Sequence, residues 1–210
     1  MQLHNITQIE ILPTANIYRA ESSEPLHPGQ FLIVNNQPLA VIKSETIANS
    51  HHLIVQSPVA ISPNDVYAIS GQIIDWQIQH SVTVLAEGFG NLVAVHWLNA
   101  HRKAVASQVD RVVLYAEDSF DFRPSPSQYM TPDYPGNMIA SMPLLDDLGY
   151  VSRLACEQFQ PGCFEGSLAE LMAMLPNKPR NWLGFAKQET IDELSELLGE
   201  PVGVYLTDCS

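Results

Sequence analysis

The spacing of apolar residues along the sequence changes near residue 80, and this change constrains the fold more than any other feature. Before it, short apolar runs rich in β-branched residues recur between turn sequences such as His-Pro-Gly at 27–29 and Ser-Pro-Asn-Asp at 62–65. After it, strand-length runs alternate with helical patterns, which is typical of a parallel sheet covered by helices. The sequence therefore predicts a small antiparallel β-barrel module at 1–77, followed by a doubly wound α/β domain at 78–210.

The individual elements follow from the same patterns. The first half predicts strands at 6–12, 16–20, 30–35, 39–44, 52–56 and 65–69. The second half predicts strands at 82–86, 111–116, 137–142, 151–155, 182–186 and 202–206, with helices at 91–102, 144–148, 168–175 and from 190 onward. Two capping boxes, Ser167 with Glu170 and Thr190 with Glu193, are expected to begin the last two helices. Four prolines between 121 and 136 predict a long surface loop.

The charge balance limits the kinds of partner. A net charge of −13 and only ten Lys and Arg residues disfavour a surface for nucleic acid or for an anionic membrane. No run approaches the roughly 20 apolar residues of a membrane span, and the start has no basic flank before an apolar core. We therefore expect no nucleic-acid partner, no membrane insertion and a cytoplasmic location.

The spacing of the cysteines and histidines gives little support for a metal site or a catalytic site. Cys156, Cys163 and Cys209 fit no zinc or iron–sulfur spacing, so reduced structural thiols are expected. Cys163 as a nucleophile, with His96 or His101 as its base, is the less favoured interpretation. Neighbouring histidines at 51 and 52 would point to opposite faces of a strand, so no metal site is predicted. No catalytic residue can be assigned from these patterns.

A glycine turn at 84–92 is the sharpest local motif, because it joins a predicted strand to a predicted helix. Glycines at such a turn let backbone N–H groups approach a pyrophosphate at the helix N-terminus. The residues expected to face it are Gly88, Phe89, Gly90 and Asn91. Tight packing between strand and helix explains the two glycines equally well, and Glu87 places a negative charge beside the expected phosphates.

Two further stretches, His-Pro-Gly-Gln-Phe at 27–31 and Gln-Pro-Leu-Ala-Val-Ile at 37–42, precede this turn in the chain. In that order the motifs resemble the ferredoxin–NAD(P)H reductase superfamily, especially the electron-transfer subunit of dihydroorotate dehydrogenase. The resemblance implies a flavin, FAD or FMN, and a nicotinamide dinucleotide as cofactors, and a redox protein as partner. It also implies a flavin site at Gln37, Pro38, Leu39 and Ala40, and a dinucleotide site at the Gly88 to Asn91 turn and Glu117.

The departures from the family pattern leave two functions open. Gln37 stands where the family has the arginine that holds the flavin phosphate, and Glu117 with Asp118 would repel the 2′-phosphate of NADP. The family's Cys-Gly-Pro turn is missing at 183–187, and no Cys-x-x-Cys is present for an iron–sulfur cluster. The chain is either a reductase-like oxidoreductase handling NAD(H) or flavin, or a non-catalytic binding or assembly protein that retains the fold. Self-association into a homo-oligomer is left open.

Overall fold

The first half of the chain forms a six-stranded antiparallel sheet. The computed structural model describes residues 1–12 and 15–207. The strand order is β1-β2-β5-β4-β3-β6. Their bounds are β1 Leu3–Ile11, β2 Asn16–Ser22, β3 Gln30–Val34, β4 Gln37–Ile47, β5 Ser50–Ser57 and β6 Ala68–Gly71. All six predicted strands are therefore confirmed, although β6 begins three residues late because Asp65 is still in a turn, its N–H donating to the Ser62 carbonyl at 3.1 Å.

Two features close and shape this sheet. The ends of the sheet are joined where the Met1 ammonium donates to the Tyr67 carbonyl at 2.8 Å and the Tyr67 N–H donates to the Met1 carbonyl at 3.2 Å. Two-residue hairpin turns at 35–36 and 48–49 have positive φ at both central residues, as type I′ turns require. The sheet closes over fully buried leucines at positions 3, 32, 39 and 53, which confirms the barrel.

The second half forms a six-stranded parallel sheet with helices on both faces. Its strand order is β12-β11-β8-β7-β13-β14. The strands are β7 Val82–Glu87, β8 Val109–Ala116, β11 Ser152–Cys156, β12 Phe164–Glu165, β13 Trp182–Ala186 and β14 Gly203–Leu206. The helices are α1 Phe89–Ala100, α2 Arg102–Val105, α3 Pro143–Leu148, α4 Leu168–Met174 and α5 Gln188–Leu198. Among the described residues, no helix is long and apolar enough to cross a bilayer.

Helix α1 joins the two halves into one packed body. It is buried on nearly all sides because it lies between barrel strand β4 and sheet strands β7 and β13. Ile42 and Ile74 share a hydrophobic cluster with Val84 and Trp97. The Tyr205 hydroxyl donates to the Gly29 carbonyl at 2.7 Å and so ties the last strand to the barrel. A second cluster covers the opposite face of the sheet under α4 and α5.

The predicted sheet strand at 137–142 is wrong. Only Ala140–Ser141 is extended, as β10, and it pairs with β9 (Ser125–Pro126) in a separate two-stranded sheet. The edge of β8 that this segment would need is taken by β11. Met138, Ala140 and Met142 are buried in the hydrophobic clusters of the α/β domain, so their apolar pattern reflects burial in the core and not membership of the parallel sheet.

One of the two predicted capping boxes is also wrong. Ser167 and Glu170 form a reciprocal box at α4, as expected. Helix α5 begins at Gln188, two residues before Thr190, and its N-cap Lys187 makes no side-chain capping bond. Helix α5 therefore begins without a side-chain cap.

This difference gives a matched test of stability. Ser167→Ala should lower the free energy of unfolding by about 1 kcal/mol, because it removes the capping hydrogen bond. Thr190→Ala should change it by less than about 0.5 kcal/mol, because Thr190 caps nothing. Urea unfolding followed by circular dichroism measures both. Equal losses in the two variants would contradict the assigned helix start.

Candidate functional site

The parallel sheet has a topological switch point between β7 and β13. From β7 the chain runs outward through β8, β11 and β12, and it then returns to β13 on the other side. Helix α1, after β7, and helix α5, after β13, pack on opposite faces of the sheet. Ligands of open α/β sheets bind in the crevice that such a reversal leaves at the carboxyl ends of the strands. The predicted glycine turn lies in this crevice.

The two glycines of the turn have different structural roles. Gly88 has φ 54° and ψ −124°, a conformation that favours glycine, and a Cβ there would meet no atom within 4 Å. Gly90 lies so close to β13 that a Cβ would overlap the Phe185 carbonyl oxygen. Close packing of α1 on the sheet therefore accounts for Gly90, the alternative that the sequence left open.

The side chains of the turn offer no positive group. Phe89 packs edge-on against Phe31 of the barrel, with ring centroids 5.1 Å apart. Asn91 is buried, and its Nδ2 donates to the Tyr115 carbonyl at 2.8 Å. The Asn91 Oδ1 is buried without a hydrogen-bond partner among the described residues. The buried side chain of Asn91 therefore offers a hydrogen-bond acceptor that has no partner among the described residues.

A lysine held between two carboxylates fills the carboxyl edge of the sheet. Lys187 Nζ lies 2.8 Å from Glu117 Oε1 and 3.5 Å from Glu87 Oε1. The hydrogen bond from Lys187 lowers the pKa of Glu117, and the same bond is the main cause of the raised pKa of Lys187. Glu87 is 5% exposed, and its Oε2 is buried without a partner among the described residues. The three charges sum to −1.

The same edge is negative beyond this network. Tyr115 on β8 donates its hydroxyl to Glu157 Oε2 at 3.2 Å. Burial, followed by the carboxylate of Glu157 and more weakly those of Glu117 and Glu87, raises the pKa of Tyr115 well above its usual range. The N-terminus of α1 offers backbone N–H groups here, but the side chains around it are mainly acceptors and carboxylates, which repel a pyrophosphate. The described residues therefore do not fit a dinucleotide pyrophosphate.

A second concave site lies between the barrel and the α/β sheet. It is a cavity of about 290 Å³, close to the lower limit for small-molecule pockets. It is lined by Phe31, Ile33, Asn36, Pro38, Ser70, Phe89, Tyr205, Leu206 and Thr207. Three of these side chains are aromatic, and none is a lysine or an arginine. Its described lining is therefore largely apolar and aromatic and offers no cation to a phosphate.

The predicted flavin residues at the start of strand β4 differ in exposure, since the first two are exposed and the next two are buried. Pro38 lines the cleft, and Gln37 is exposed beside it at the start of the strand. Leu39 is fully buried in the barrel interior, and Ala40 is buried next to it. Phe89, predicted for the dinucleotide, lines the same cleft as Pro38. Sequence reasoning missed Tyr205, whose aromatic type near the end of the last strand was the available signal.

The thiols have the structural character that the sequence favoured. Cys163 is buried, and burial raises its pKa to about 11, which disfavours the alternative of a nucleophile activated by a helix N-terminus. Cys156 is fully buried, its pKa is also raised, mainly by burial, and its thiol donates to the Asp118 carbonyl at 3.3 Å. Cys209 lies outside the described residues. Among residues 1–12 and 15–207, no group of three or more His, Cys, Asp or Glu side chains is placed to hold a metal ion.

Comparison with solved structures shows which class of fold this is. A cytochrome P450 reductase from Amycolatopsis superimposes with a TM-score of 0.63 at 8% identity, over 98% of this chain and 67% of its own. An NADH-dependent reduced ferredoxin-NADP oxidoreductase gives 0.60 at 12% identity, over 95% and 73%. The flavohem-like FAD/NAD-binding domain of nitric oxide dioxygenase from Vibrio cholerae gives 0.55 at 12% identity, over 98% and 95%.

These similarities establish the fold at very low sequence identity. The chain has the ferredoxin-reductase-like fold, a barrel followed by a parallel nucleotide-binding-type sheet, and the resemblance found in the sequence is confirmed at that level. No protein-family model matches the sequence, and no curated protein matches it. The fold alone does not assign an activity, which has to come from the two sites described above.

Proposed function

We propose that this chain is a reductase-type electron-transfer protein that takes the ring system of a flavin in the cleft between its two modules. The observation that carries the proposal is the cleft itself, which is walled by Phe31, Phe89 and Tyr205 and has no cationic side chain among its described lining residues. Aromatic walls favour a flat ring, and the missing cation leaves the flavin phosphate without a charged partner. The flavin is therefore an exchangeable ligand.

A bound flavin would supply the redox chemistry, and the residues of the chain would bind and shield it. Phe31 and Phe89 come from different modules and already contact each other edge-on, so the cleft depends on the packing of barrel against sheet. Because the carboxyl edge of the sheet does not fit a pyrophosphate, a redox protein is the electron source that this proposal favours over a nicotinamide. The redox partner expected from the sequence would dock at this cleft.

Titration with FMN tests this proposal. The wild type should bind FMN weakly and lose it on gel filtration, and Gln37→Arg should tighten binding by about 10- to 150-fold, because a charge-assisted phosphate contact contributes about 1.5–3 kcal/mol. Quenching of FMN fluorescence measures the dissociation constant.

Gln2→Arg, at another exposed glutamine, controls for the change in net charge and should not tighten binding. Flavin retained at one equivalent through purification of the wild type would contradict the exchangeable site. No binding by either the wild type or Gln37→Arg would overturn the proposal.

A non-catalytic binding or assembly protein with this fold is the second candidate. The network of Lys187 with Glu87 and Glu117 favours it, since the network occupies the edge where a dinucleotide would bind. This candidate predicts that neither the cleft nor the crevice takes a cofactor. This second candidate is favoured if neither FMN nor the dinucleotides NADH and NADPH bind to the protein.

Calorimetric titration with NADH and NADPH examines the crevice directly. We expect NADH to bind no more tightly than about 1 mM and NADPH to bind more weakly still, because carboxylates about 4 Å from a phosphate repel it by up to about 4 kcal/mol at an effective dielectric near 20. Tighter binding of NADPH would show that Glu117 and Asp118 lie away from the 2′-phosphate.

A further inference from the structure

The proline-rich loop borders a partly open cavity on the face of the sheet opposite to helix α1. The cavity has a volume of about 280 Å³. It is walled by residues of the 127–139 segment and by Arg153 of β11. Tyr134 and Met138 from this segment belong to the hydrophobic cluster on that face, so the loop is packed onto the sheet. This site is separate from both the cleft between the modules and the switch-point crevice.

Arg153 is almost fully buried, and its hydrogen-bond partners are all neutral groups. It is 3% exposed, and its Nε donates to Thr131 Oγ1 at 2.8 Å. Nη1 donates to the Ser152 carbonyl at 2.6 Å, and Nη2 donates to the Tyr129 carbonyl at 2.5 Å. A guanidinium has five N–H groups. One N–H on each Nη is therefore without a partner among the described residues.

No carboxylate among the described residues lies within 4.0 Å of the Arg153 guanidinium. Asp146 acts on it only at longer range, and the Asp146 oxygens accept the Gln128 N–H at 3.0 Å and the Ser127 hydroxyl at 3.4 Å. Burial is the main cause that lowers the pKa of Arg153. Such a charge is costly unless a counter-ion completes it.

Arg111 on the neighbouring strand differs from Arg153 because it has a carboxylate partner. Arg111 of β8 lies on the same face of the sheet, since Arg153 is in register with Val113, two residues further along β8. Arg111 has its own carboxylate, with Nη2 at 2.9 Å from Asp133 Oδ2, and it lies over the Tyr134 ring at 5.0 Å. Among the described residues, the cavity beside Arg153 has no acidic side chain in its wall, although the chain carries a net charge of −13.

We propose that the cavity beneath the proline-rich loop binds a small organic oxyanion, with a carboxylate or phosphate oxygen on the Arg153 guanidinium. The remaining N–H groups on Nη1 and Nη2 are the donors that such an anion requires. Pro132, Met138 and Ile139 supply an apolar wall for the body of the ligand. The charged floor and the apolar wall together select an anion with an aromatic or aliphatic group over a bare inorganic ion.

Isothermal titration with benzoate and with phenyl phosphate, each against benzyl alcohol as the neutral probe, tests the site. The wild type should bind at least one of the two anions saturably below about 10 mM, and it should bind the neutral probe at least about tenfold more weakly. The anion that binds more tightly shows whether the site prefers a carboxylate or a phosphate. Saturation by neither anion, or equal binding of benzyl alcohol, would overturn the proposal.

Two variants separate the guanidinium from the stability of the loop. Arg153→Met should weaken the preferred anion by at least about tenfold, and Ile139→Trp, which keeps the arginine and enlarges a side chain of the cavity wall, should do the same. Arg123→Gln removes an exposed arginine of the same loop and should leave binding unchanged. Should Arg153→Met fail to fold, Ile139→Trp decides the question alone, and undiminished binding by it would contradict the proposed cavity.

Discussion

Replacing Gly90 with alanine is expected to lower the free energy of unfolding by about 3 kcal/mol, the upper end of the usual cost of overpacking. The added Cβ would overlap the Phe185 carbonyl oxygen, and backbone on both sides leaves no flexible atom to move aside. Helix α1 would have to shift away from β13, and it would loosen its contact with barrel strand β4 as well. Urea denaturation followed by circular dichroism measures the loss.

Two other glycines provide the controls. Gly88→Ala has open space but a φ of +54°, so it should cost about 1–2 kcal/mol through backbone strain alone. Gly136→Ala has open space and no such strain, and its effect should stay within about 0.5 kcal/mol. A larger loss for Gly88→Ala than for Gly90→Ala would reject close packing as the reason for Gly90.

Acidification should destabilise the protein by about 3 kcal/mol through one buried histidine. His96 of α1 is 2% exposed, and burial, with smaller contributions from His101 and His27, lowers its pKa to about 4. In the unfolded chain the pKa is about 6.5, so between these values the unfolded state binds the extra proton. This loss of stability is absent above pH 6.5 and grows as the pH falls toward 4.

Urea unfolding at a series of pH values from 7 to 4 measures this effect. His96→Leu should remove this part of the pH dependence, while His80→Leu, at an exposed histidine, should leave it in place. If the wild type and His96→Leu lose the same stability between pH 6.5 and 4, the group responsible is a different one.

The sequence was sufficient for the layers of the fold because each half has a single dominant period. Strands buried on both faces, such as β7 and β13, are nearly continuous apolar runs, and the amphipathic α4 carries its own capping box. The prediction at 137–142 was wrong because its apolar residues are buried in the hydrophobic clusters without pairing to the parallel sheet, and burial without a free sheet edge does not make a strand. Competition for the β8 edge is a tertiary effect that no local pattern contains.

The sites were less predictable because their side chains meet only after folding. The glycine turn was located from sequence, but the Lys187 that neutralises Glu117 is 70 residues away in the chain. Arg153 lies within a short predicted strand that gives no sign of a site. That it has no carboxylate partner becomes visible only in the folded structure, where the loop lies over it. Lone charges in apolar segments of an acidic sequence are the signal that would have pointed to it.

The bond from Tyr205 to Gly29 has a consequence for synthesis on the ribosome. The barrel is made first, but the strand that ties down its outer turn emerges about 130 residues later. At roughly 5–20 residues per second, the apolar flank around Ile42 and Ile74 therefore waits on the order of 10 s for its final cover. Nascent chains stalled before β14 should accordingly recruit chaperones through that flank, and release should follow once Tyr205 clears the exit tunnel.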